Sequence, residues 1–184
     1  MASEIDKASE QMEKTVSATE EHFASIRTGR ANPAFLNDIT VEYYGTETPL
    51  KSLATITVAE TRTLAVTPFD ASQAPAVEKA IRDSDLGVNP NRDGNVIRVT
   101  LPELTEERRK DYVKLVRAKA EEGKIAVRNI RRKTKEAVEA SVKDGQIGED
   151  DGKRLQKELE AITKKTTDKI DSLLAGKEKE ILSV

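Results

Sequence analysis

All six prolines of this 184-residue chain fall between residues 33 and 102. Because proline breaks the interior of a helix, no long helix crosses this middle segment, and long helices are restricted to the two flanks. The middle is also poor in charge: residues 31–103 carry 16 charged side chains in 73 residues, against 48 in the other 111. The proline and charge distributions predict two architectures within one chain.

The flanks have the spacing of amphipathic helices. Apolar or small residues recur every three or four positions along three segments, which is the pattern of one buried helix face. The members of these faces are Ile5, Ala8, Met12, Val16, Thr19, Phe23 and Ile26 in the first segment, Val113, Val116, Ala120, Gly123, Val127, Ile130, Thr134, Ala137 and Ser141 in the second, and Leu155, Leu159, Ile162, Thr166, Ile170 and Leu173 in the third. Three such faces predict a three-helix bundle with coiled-coil-like packing.

Local signals place the helix ends. Ser3 and Asp6 have the spacing of a capping box at the start of the first helix. Thr105 is the expected N-cap of the second helix, because two glutamates follow it at the positive end of the helix dipole. A turn with three glycines between residues 144 and 152 separates the second helix from the third, which begins near Asp150.

The middle segment has the pattern of β-strands. Residues 39–43 alternate with period two, and residues 53–58, 63–67 and 96–99 are rich in β-branched side chains. Residues 75–83 predict one short helix with Pro75 in its first turn, and residues 89–94 are dense in turn-forming types. These elements predict a small α+β domain.

The fold class is therefore α+β: an elongated three-helix bundle with a small β/α/β domain inserted between helices 1 and 2. Residues 1–30 and 104–184 are assigned to the bundle, because the first helix cannot bury its apolar face without the other two. Residues 31–103 are assigned to the inserted domain. The chain crosses between the domains twice, near residues 30–33 and 102–105, and two short connections predict a hinge.

Several functional classes are excluded. The chain has no cysteine and a single histidine, His22, so thiolate chemistry and histidine-based metal sites are not available. Phosphate-binding and nucleophile-elbow motifs are absent, and the acidic run 148–152 lacks the ligand spacing of a calcium loop. No apolar run approaches the roughly 18 residues of a membrane helix. We expect a soluble, cytoplasmic protein that is not an enzyme and has no metal or cofactor.

The basic residues are concentrated on the second helix. Residues 108–135 carry twelve cations and three anions, a charge of +9, which leaves −11 on the rest of the chain. At 100° per residue, eight of these cations project into one arc of about 100°. We call this set the cationic stripe: Lys110, Lys114, Arg117, Lys124, Arg128, Arg131, Arg132 and Lys135.

A stripe of one sign predicts binding to a polyanion. The few aromatic residues argue against base stacking, so contacts to phosphates are expected to dominate with an RNA partner. The alternative is a coiled-coil adaptor whose basic helix binds an acidic protein. Because one chain supplies all three helices, we expect a monomer.

Several strings of residues resemble one known family. They are Ile-Arg-Thr-Gly-Arg-Ala-Asn-Pro at 26–33, Val-Glu-Tyr-Tyr-Gly-Thr at 41–46, Pro-Ala-Val-Glu-Lys-Ala-Ile at 75–81, Leu-Thr-Glu-Glu-Arg-Arg-Lys at 104–110 and Val-Arg-Asn-Ile-Arg-Arg at 127–132. In this order, and across essentially the whole length, the chain resembles the bacterial ribosome recycling factors.

The resemblance implies a function. Members of that family are L-shaped and about the size of a tRNA, and they bind the post-termination ribosome through large-subunit RNA. With elongation factor G and GTP they split the subunits, and they have no catalytic activity. The resemblance also implies RNA contacts within the strings that hold Arg108, Arg109, Arg128, Arg131 and Arg132, and a hinge near Arg27, Gly29 and Arg30.

The stripe and the resemblance together define the predicted sites. The predicted partners are large-subunit rRNA of the ribosome and elongation factor G, and no membrane is expected. The predicted RNA-binding residues are Arg108, Arg109, Lys110, Arg117, Lys124, Arg128, Arg131, Arg132 and Lys135. The predicted hinge residues are Arg27, Gly29, Arg30, Ala31, Asn32, Pro33, Pro102, Glu103, Leu104 and Thr105.

Overall fold

A computed structural model describes residues 3–183. The chain divides into two compact units. The helical unit comprises the chain up to Phe23 together with Val113–Lys179, and the small unit comprises Ala24–Tyr112 together with the residues from Glu180 onward. The long helices are α1 (Glu4–Ser25), α4 (Glu106–Lys143) and α5 (Glu149–Leu182).

The helix ends form as their sequences predict. The Ser3 amide donates to Asp6 Oδ2 at 3.2 Å, and the Asp6 amide donates to Ser3 Oγ at 3.1 Å, so the capping box is confirmed. The Arg108 amide donates to Thr105 Oγ1 at 3.1 Å, which confirms Thr105 as the N-cap of α4. Gly145 adopts a φ of +73° just after α4, a conformation that favours glycine and ends the helix.

The core of the helical unit is narrow. Every predicted α1 position of this unit, from Ile5 to Phe23, is buried, and Val116 and Val127 of α4 are fully buried. A Cβ atom placed on Gly123 would lie 2.6 Å from Thr19 Oγ1 of α1 and 3.5 Å from Ile170 Cδ1 of α5. The three helices therefore meet at Gly123, where the space admits the hydrogen atom of glycine but no larger side chain. The predicted packing of three helices is confirmed there.

The small unit contains two antiparallel sheets. Strands β1 (Thr40–Tyr43) and β2 (Thr46–Pro49) form a hairpin. The second sheet has the order β3-β4-β6-β5 and is built from β3 (Ala54–Glu60), β4 (Thr63–Pro68), β5 (Asn91–Asp93) and β6 (Val96–Thr100). Two α-helices, α2 (Leu50–Leu53) and α3 (Ala74–Arg82), and two 3-10 turns (Pro33–Leu36 and Ala71–Gln73) complete the unit.

The core of the small unit is made of large aliphatic side chains. Inward-facing residues of β4 and β6 pack with α3 and with the segment that precedes β3. Its fully buried members include Leu36, Leu50, Leu64, Val66, Val77, Ile81, Ile97 and Val99. At about 1.5–3 kcal/mol for each such side chain, their burial is the main favourable term in folding this unit.

The sequence prediction missed three elements of the small unit. Strand β2 is largely exposed and polar, so it lacks the apolar alternation of a half-buried strand. Strand β5 is an exposed edge strand within the segment predicted to be a turn. Leu53 was predicted to begin a strand but ends α2, a single helical turn that follows Pro49 and buries Leu50.

The fold class is α+β, with long helices and a small sheet domain between α1 and α4, as predicted. Among residues 3–183, no helix is both long enough and apolar enough to cross a membrane.

Candidate nucleic-acid interface

The part of the cationic stripe in the helical unit separates into two rows on α4. Arg117, Lys124 and Arg131 are seven residues apart and lie within about 40° of one another, beside the buried face of the helix. We call these three the inner row. The remaining stripe residues of this unit form the outer row. Lys114, Arg128 and Arg132 point further from the buried face, and Lys135 shares the direction of Arg117 but pairs within α4.

Each cation of the inner row is paired with a carboxylate of α5. Arg131 donates from Nε at 2.7 Å and from Nη2 at 2.6 Å, both to Glu160 Oε1. Lys124 binds Asp171, and Arg117 donates from Nε to Glu178 Oε1. The hydrogen bond to Glu178, and then the charge of that carboxylate, raise the pKa of Arg117 above its usual value.

These pairs run in opposite directions along the two helices: as the α4 number rises from 117 to 131, the α5 number falls from 178 to 160. The helices are therefore antiparallel, and the pairs form a ladder at their shared edge. Lys124 has a side-chain exposure of 19%, and Glu178 of 22%. The middle and one end of the ladder are partly shielded from water, so these charges are screened less than those of fully exposed pairs.

The outer row is held more loosely. Arg128 binds Glu121 at 3.0 Å, and Lys135 binds Glu139 at 3.9 Å, both within α4 and all exposed or half-exposed. Lys114 and Arg132 are exposed and make no ion pair among the residues that the structure describes. Exposed pairs of this kind are worth about 0–1 kcal/mol, so an incoming phosphate displaces them at little cost.

The first turn of α4, in the small unit, places its three basic residues on different faces. Lys110 is exposed and lies 3.7 Å from Glu106. Arg108 is also exposed, but at 100° per residue it points about 160° away from Lys110. Arg109 is half-buried, and its Nε atom is buried without a hydrogen-bond partner among the described residues. Of the three, only Lys110 shares the direction predicted for the stripe.

All ten predicted hinge residues lie in the small unit. Arg27 is 7% exposed, and its Nη2 donates to the carbonyl oxygen of Pro102 at 2.6 Å. Burial lowers the pKa of Arg27, an effect that Tyr112 opposes and the nearby Arg108 and Arg62 reinforce. Arg27 therefore joins the two segments through which the chain enters and leaves the strands.

Other hinge residues have defined contacts within the same unit. The Ala31 amide donates to the Thr61 carbonyl at 2.7 Å, and Asn32 caps the first 3-10 turn, which begins at Pro33. Glu103 pairs with Arg62 at 3.7 Å, and Leu104 is buried. A cleft of about 430 Å³ is lined by residues 28–32 together with Glu180 and Ser183.

Sequence reasoning missed the carboxylates that pair with the inner row. The sequence does contain a signal for them. At 100° per residue, Glu160, Asp171 and Glu178 point in directions within about 20° of one another around the third helix, so the three carboxylates share one face. Among residues 3–183, no group of three acidic or histidine side chains is arranged to hold a metal ion.

Comparison with known proteins gives consistent results. The family model described as ribosome recycling factor matches residues 19–182. The chain is 69% identical over 180 residues to the ribosome-recycling factor of Bifidobacterium longum subsp. infantis, with 98% of each chain covered. It is 66% identical over 184 residues to that of Bifidobacterium adolescentis, with both chains fully covered.

Two solved structures are also similar. A solution structure of a ribosome recycling factor is 42% identical and superimposes with a TM-score of 0.75 over the full length of both chains. The T. thermophilus ribosome recycling factor, described together with E. coli elongation factor G on the E. coli post-termination complex, is 45% identical with a TM-score of 0.67 over 96% of each chain. On the family match and these identities, the chain belongs to the ribosome recycling factor family.

Proposed function

We propose that this chain is a translation factor that binds the post-termination ribosome on large-subunit rRNA. With elongation factor G and GTP, it splits the subunits to recycle ribosomes, and it performs no chemistry of its own. Family membership supports the role in recycling, and the T. thermophilus relative is described with elongation factor G on a post-termination complex. A ribosomal partner in turn implies a cytoplasmic location and protein biosynthesis as the process served.

The observation that carries the RNA contact is the outer row of α4. Arg128 and Arg132 are four residues apart and point in similar directions, so two guanidinium groups are presented side by side. Arginine matches phosphate oxygens with two parallel donors, and such hydrogen bonds are about twice as strong as those between neutral groups. Lys114 and Lys135 extend the row along the helix and bind phosphate as point charges.

We also propose that the small domain moves about the junction at residues 27–33 and 102–105 during recycling. The two connecting segments are short. The buried Arg27, whose Nε has no hydrogen-bond partner among residues 3–183, links them through its hydrogen bond to the Pro102 carbonyl. Elongation factor G acting on the small domain then transmits force through the junction to helices anchored on rRNA. A disulfide engineered across the junction is expected to leave ribosome binding intact and to block splitting.

A subunit-splitting assay followed by light scattering tests the proposed function. We expect splitting only when the chain, elongation factor G and GTP are all present. Replacing Arg128 and Arg132 with glutamate is expected to weaken binding to isolated large subunits by at least about a hundredfold, since two charged hydrogen bonds worth about 1.5–3 kcal/mol each are lost.

The matched control replaces Lys157 and Lys169 of α5 with glutamate. Both lysines are exposed and make no ion pair among residues 3–183, so the net charge changes equally. The control is expected to bind large subunits like the parent chain. Equal binding by both double variants would contradict the proposed RNA-binding face.

A further inference from the structure

The tip of the β1–β2 hairpin holds a tyrosine in a conformation that favours other residue types. Tyr43 and Thr46 are the last paired residues, so Tyr44 and Gly45 form a two-residue loop. Their φ angles are +49° and +79°, and two positive values are the mark of a type I′ turn. Asparagine and glycine adopt this conformation readily, whereas the Cβ of a tyrosine crowds the carbonyl that follows it. Among residues 3–183, Tyr44 is the only residue other than glycine with a positive φ.

The Tyr44 side chain gains little within the chain to offset that strain. It is 77% exposed, the largest exposed fraction among the large apolar side chains of residues 3–183. Its hydroxyl has no hydrogen-bond partner in the described part of the chain. Its ring packs edge-on against Tyr43, with the ring centroids 4.5 Å apart. A strained backbone that keeps a large aromatic ring in solvent indicates a role in function rather than in folding.

The same tip carries two opposed carboxylates. Glu42 and Glu47 lie directly opposite each other on β1 and β2, and both are exposed. Like charges in this arrangement destabilise a hairpin. They are the only charged residues of segment 40–49, and neither makes an ion pair with another of residues 3–183. A cation supplied from outside the chain would relieve this repulsion.

The two features select the chemistry of the partner. Two carboxylates repel the phosphates of RNA, so a nucleic acid does not fit this tip. An arginine or lysine of a protein can lie over the Tyr44 ring and pair with a carboxylate at the same time. Tyrosine is also enriched at the centres of protein–protein interfaces, where single residues contribute most of the binding energy. The tip therefore fits a basic protein surface.

We infer that the tip of the β1–β2 hairpin is a docking surface for a basic patch of elongation factor G, with Tyr44 as its central contact. This inference rests on the proposed function, in which elongation factor G moves the small domain. A contact between the tip and the ribosome would resist that movement, whereas a contact with the factor that drives it transmits force. The strain and the opposed carboxylates are then maintained for binding, at a cost in stability.

The first test uses Tyr44→Asn, which creates the Asn-Gly pair that a type I′ turn favours. We expect Tm in differential scanning calorimetry to rise by about 2–5 °C, because the strain is relieved. In the light-scattering assay, the concentration of elongation factor G that gives half-maximal splitting is expected to rise at least about tenfold, because the central contact is lost. Binding to isolated large subunits should stay within about twofold of the parent chain. A purely structural residue would not combine a gain in stability with a loss of splitting.

Three further variants serve as controls. Tyr44→Phe keeps the ring and is expected to split within about twofold of the parent chain. Phe69→Ala removes another exposed aromatic of the small unit, one whose φ is not positive, and should also stay within about twofold. E42Q/E47Q keeps Tyr44 but removes the acidic pair, and the half-maximal concentration should rise about threefold. A loss in Phe69→Ala equal to that in Tyr44→Asn would overturn the assignment to the hairpin tip.

A crosslink identifies the partner directly. The full chain with p-benzoylphenylalanine in place of Tyr44 is bound to post-termination ribosomes with elongation factor G and a non-hydrolysable GTP analogue, and then irradiated. We expect a crosslink to elongation factor G, and none from the same amino acid in place of Phe69. A crosslink from position 44 to rRNA or to a ribosomal protein, or none at all, would overturn the inference.

Failure of this inference and failure of the proposed function have different results. If Tyr44→Asn splits ribosomes like the parent chain while R128E/R132E no longer binds large subunits, the inference fails and the proposed function stands. If the parent chain does not split ribosomes with elongation factor G and GTP, the proposed function fails. Should Tyr44→Asn lose cooperative unfolding, the account of the strain is wrong and the crosslink from position 44 decides the docking surface.

Discussion

The helical unit and the small unit differ in which side chains they bury and in where their charged side chains lie. In the small unit, large aliphatic residues such as Leu64 and Ile97 fill a closed core. In the helical unit, buried positions include Gly123, Thr134 and Thr163, and the charges lie along the outside of α4 and α5. The difference teaches that the small unit buries its aliphatic side chains in a closed core, whereas the charged surface for a partner belongs to the helices.

The sharpest test of this contrast removes one large side chain from the small unit. Leu64 lies on β4, the strand between β3 and β6, and is fully buried in the core, so Leu64→Ala is expected to lower the free energy of unfolding by about 3–5 kcal/mol. Urea denaturation with amide hydrogen exchange measures the loss and assigns it to the small unit. Phe69→Ala is the control, because Phe69 is 70% exposed and its loss should cost under about 0.5 kcal/mol. Equal losses would contradict the closed core.

A smaller loss is expected from the corresponding change in the helical unit. Val116 is fully buried, but Val116→Ala removes two methyl groups only, and we expect a loss of about 2 kcal/mol. The same urea titration measures it, with the adjacent exposed Leu115→Ala as the control. If Val116→Ala lowers the free energy of unfolding as much as Leu64→Ala does, the proposed difference between the cores of the two units is contradicted.

Crowding at the helix crossing predicts that a single added methyl group destabilises the helical unit. In Gly123→Ala the new Cβ meets Thr19 Oγ1, which already donates to the Thr15 carbonyl at 2.9 Å. We expect a net loss of about 1–2 kcal/mol in thermal unfolding, despite the better helix propensity of alanine. In a Thr19→Ala background the loss should disappear. A gain in stability from Gly123→Ala alone would show that the helices are not in close contact there.

The smallest effect is a gain in stability at a second helical glycine. Among residues 3–183, no atom apart from the chain neighbours and nearby backbone of its own helix lies within 4 Å of a Cβ placed on Gly176 of α5. Gly176→Ala is therefore expected to raise the free energy of unfolding by about 0.5–1 kcal/mol through lower backbone entropy of the unfolded chain. Differential scanning calorimetry measures the gain, and Gly123→Ala is the contrasting substitution. A loss at Gly176 would indicate a contact that the structure does not contain.

Periodicity was sufficient to predict the helices because each one buries a single face. The six predicted positions of α1 from Ile5 to Phe23 are spaced by three or four residues, and all six are buried. The caps at Ser3 and Thr105 depend only on neighbouring residues. Strands β2 and β5 were missed because exposed edge strands carry no hydrophobic alternation. Each pairs with its neighbour in the chain through a two-residue turn, Tyr44-Gly45 for β2 and Gly94-Asn95 for β5, so the local signal lay in the turn and not in the strand.

The candidate site was predicted less completely than the fold. A helical wheel assigns Lys124 and Arg131 to the stripe, but it contains no information about the helix packed alongside. Whether a cation is free or compensated depends on the register of α4 against α5, and that register follows from side-chain packing. Arg109 was predicted from resemblance alone, and the structure places its Nε in a buried position.

The salt dependence of binding to large ribosomal subunits tests most directly whether the outer row of α4 contacts rRNA phosphates. The parent chain is compared with K114Q/R132Q, which removes the two stripe cations of the helical unit that make no ion pair among residues 3–183. We predict that the variant binds more weakly and that its log K against log salt slope is shallower by about 1.4–1.8, at about 0.7–0.9 per phosphate contact. An unchanged slope with unchanged affinity would contradict the assignment of this face to RNA.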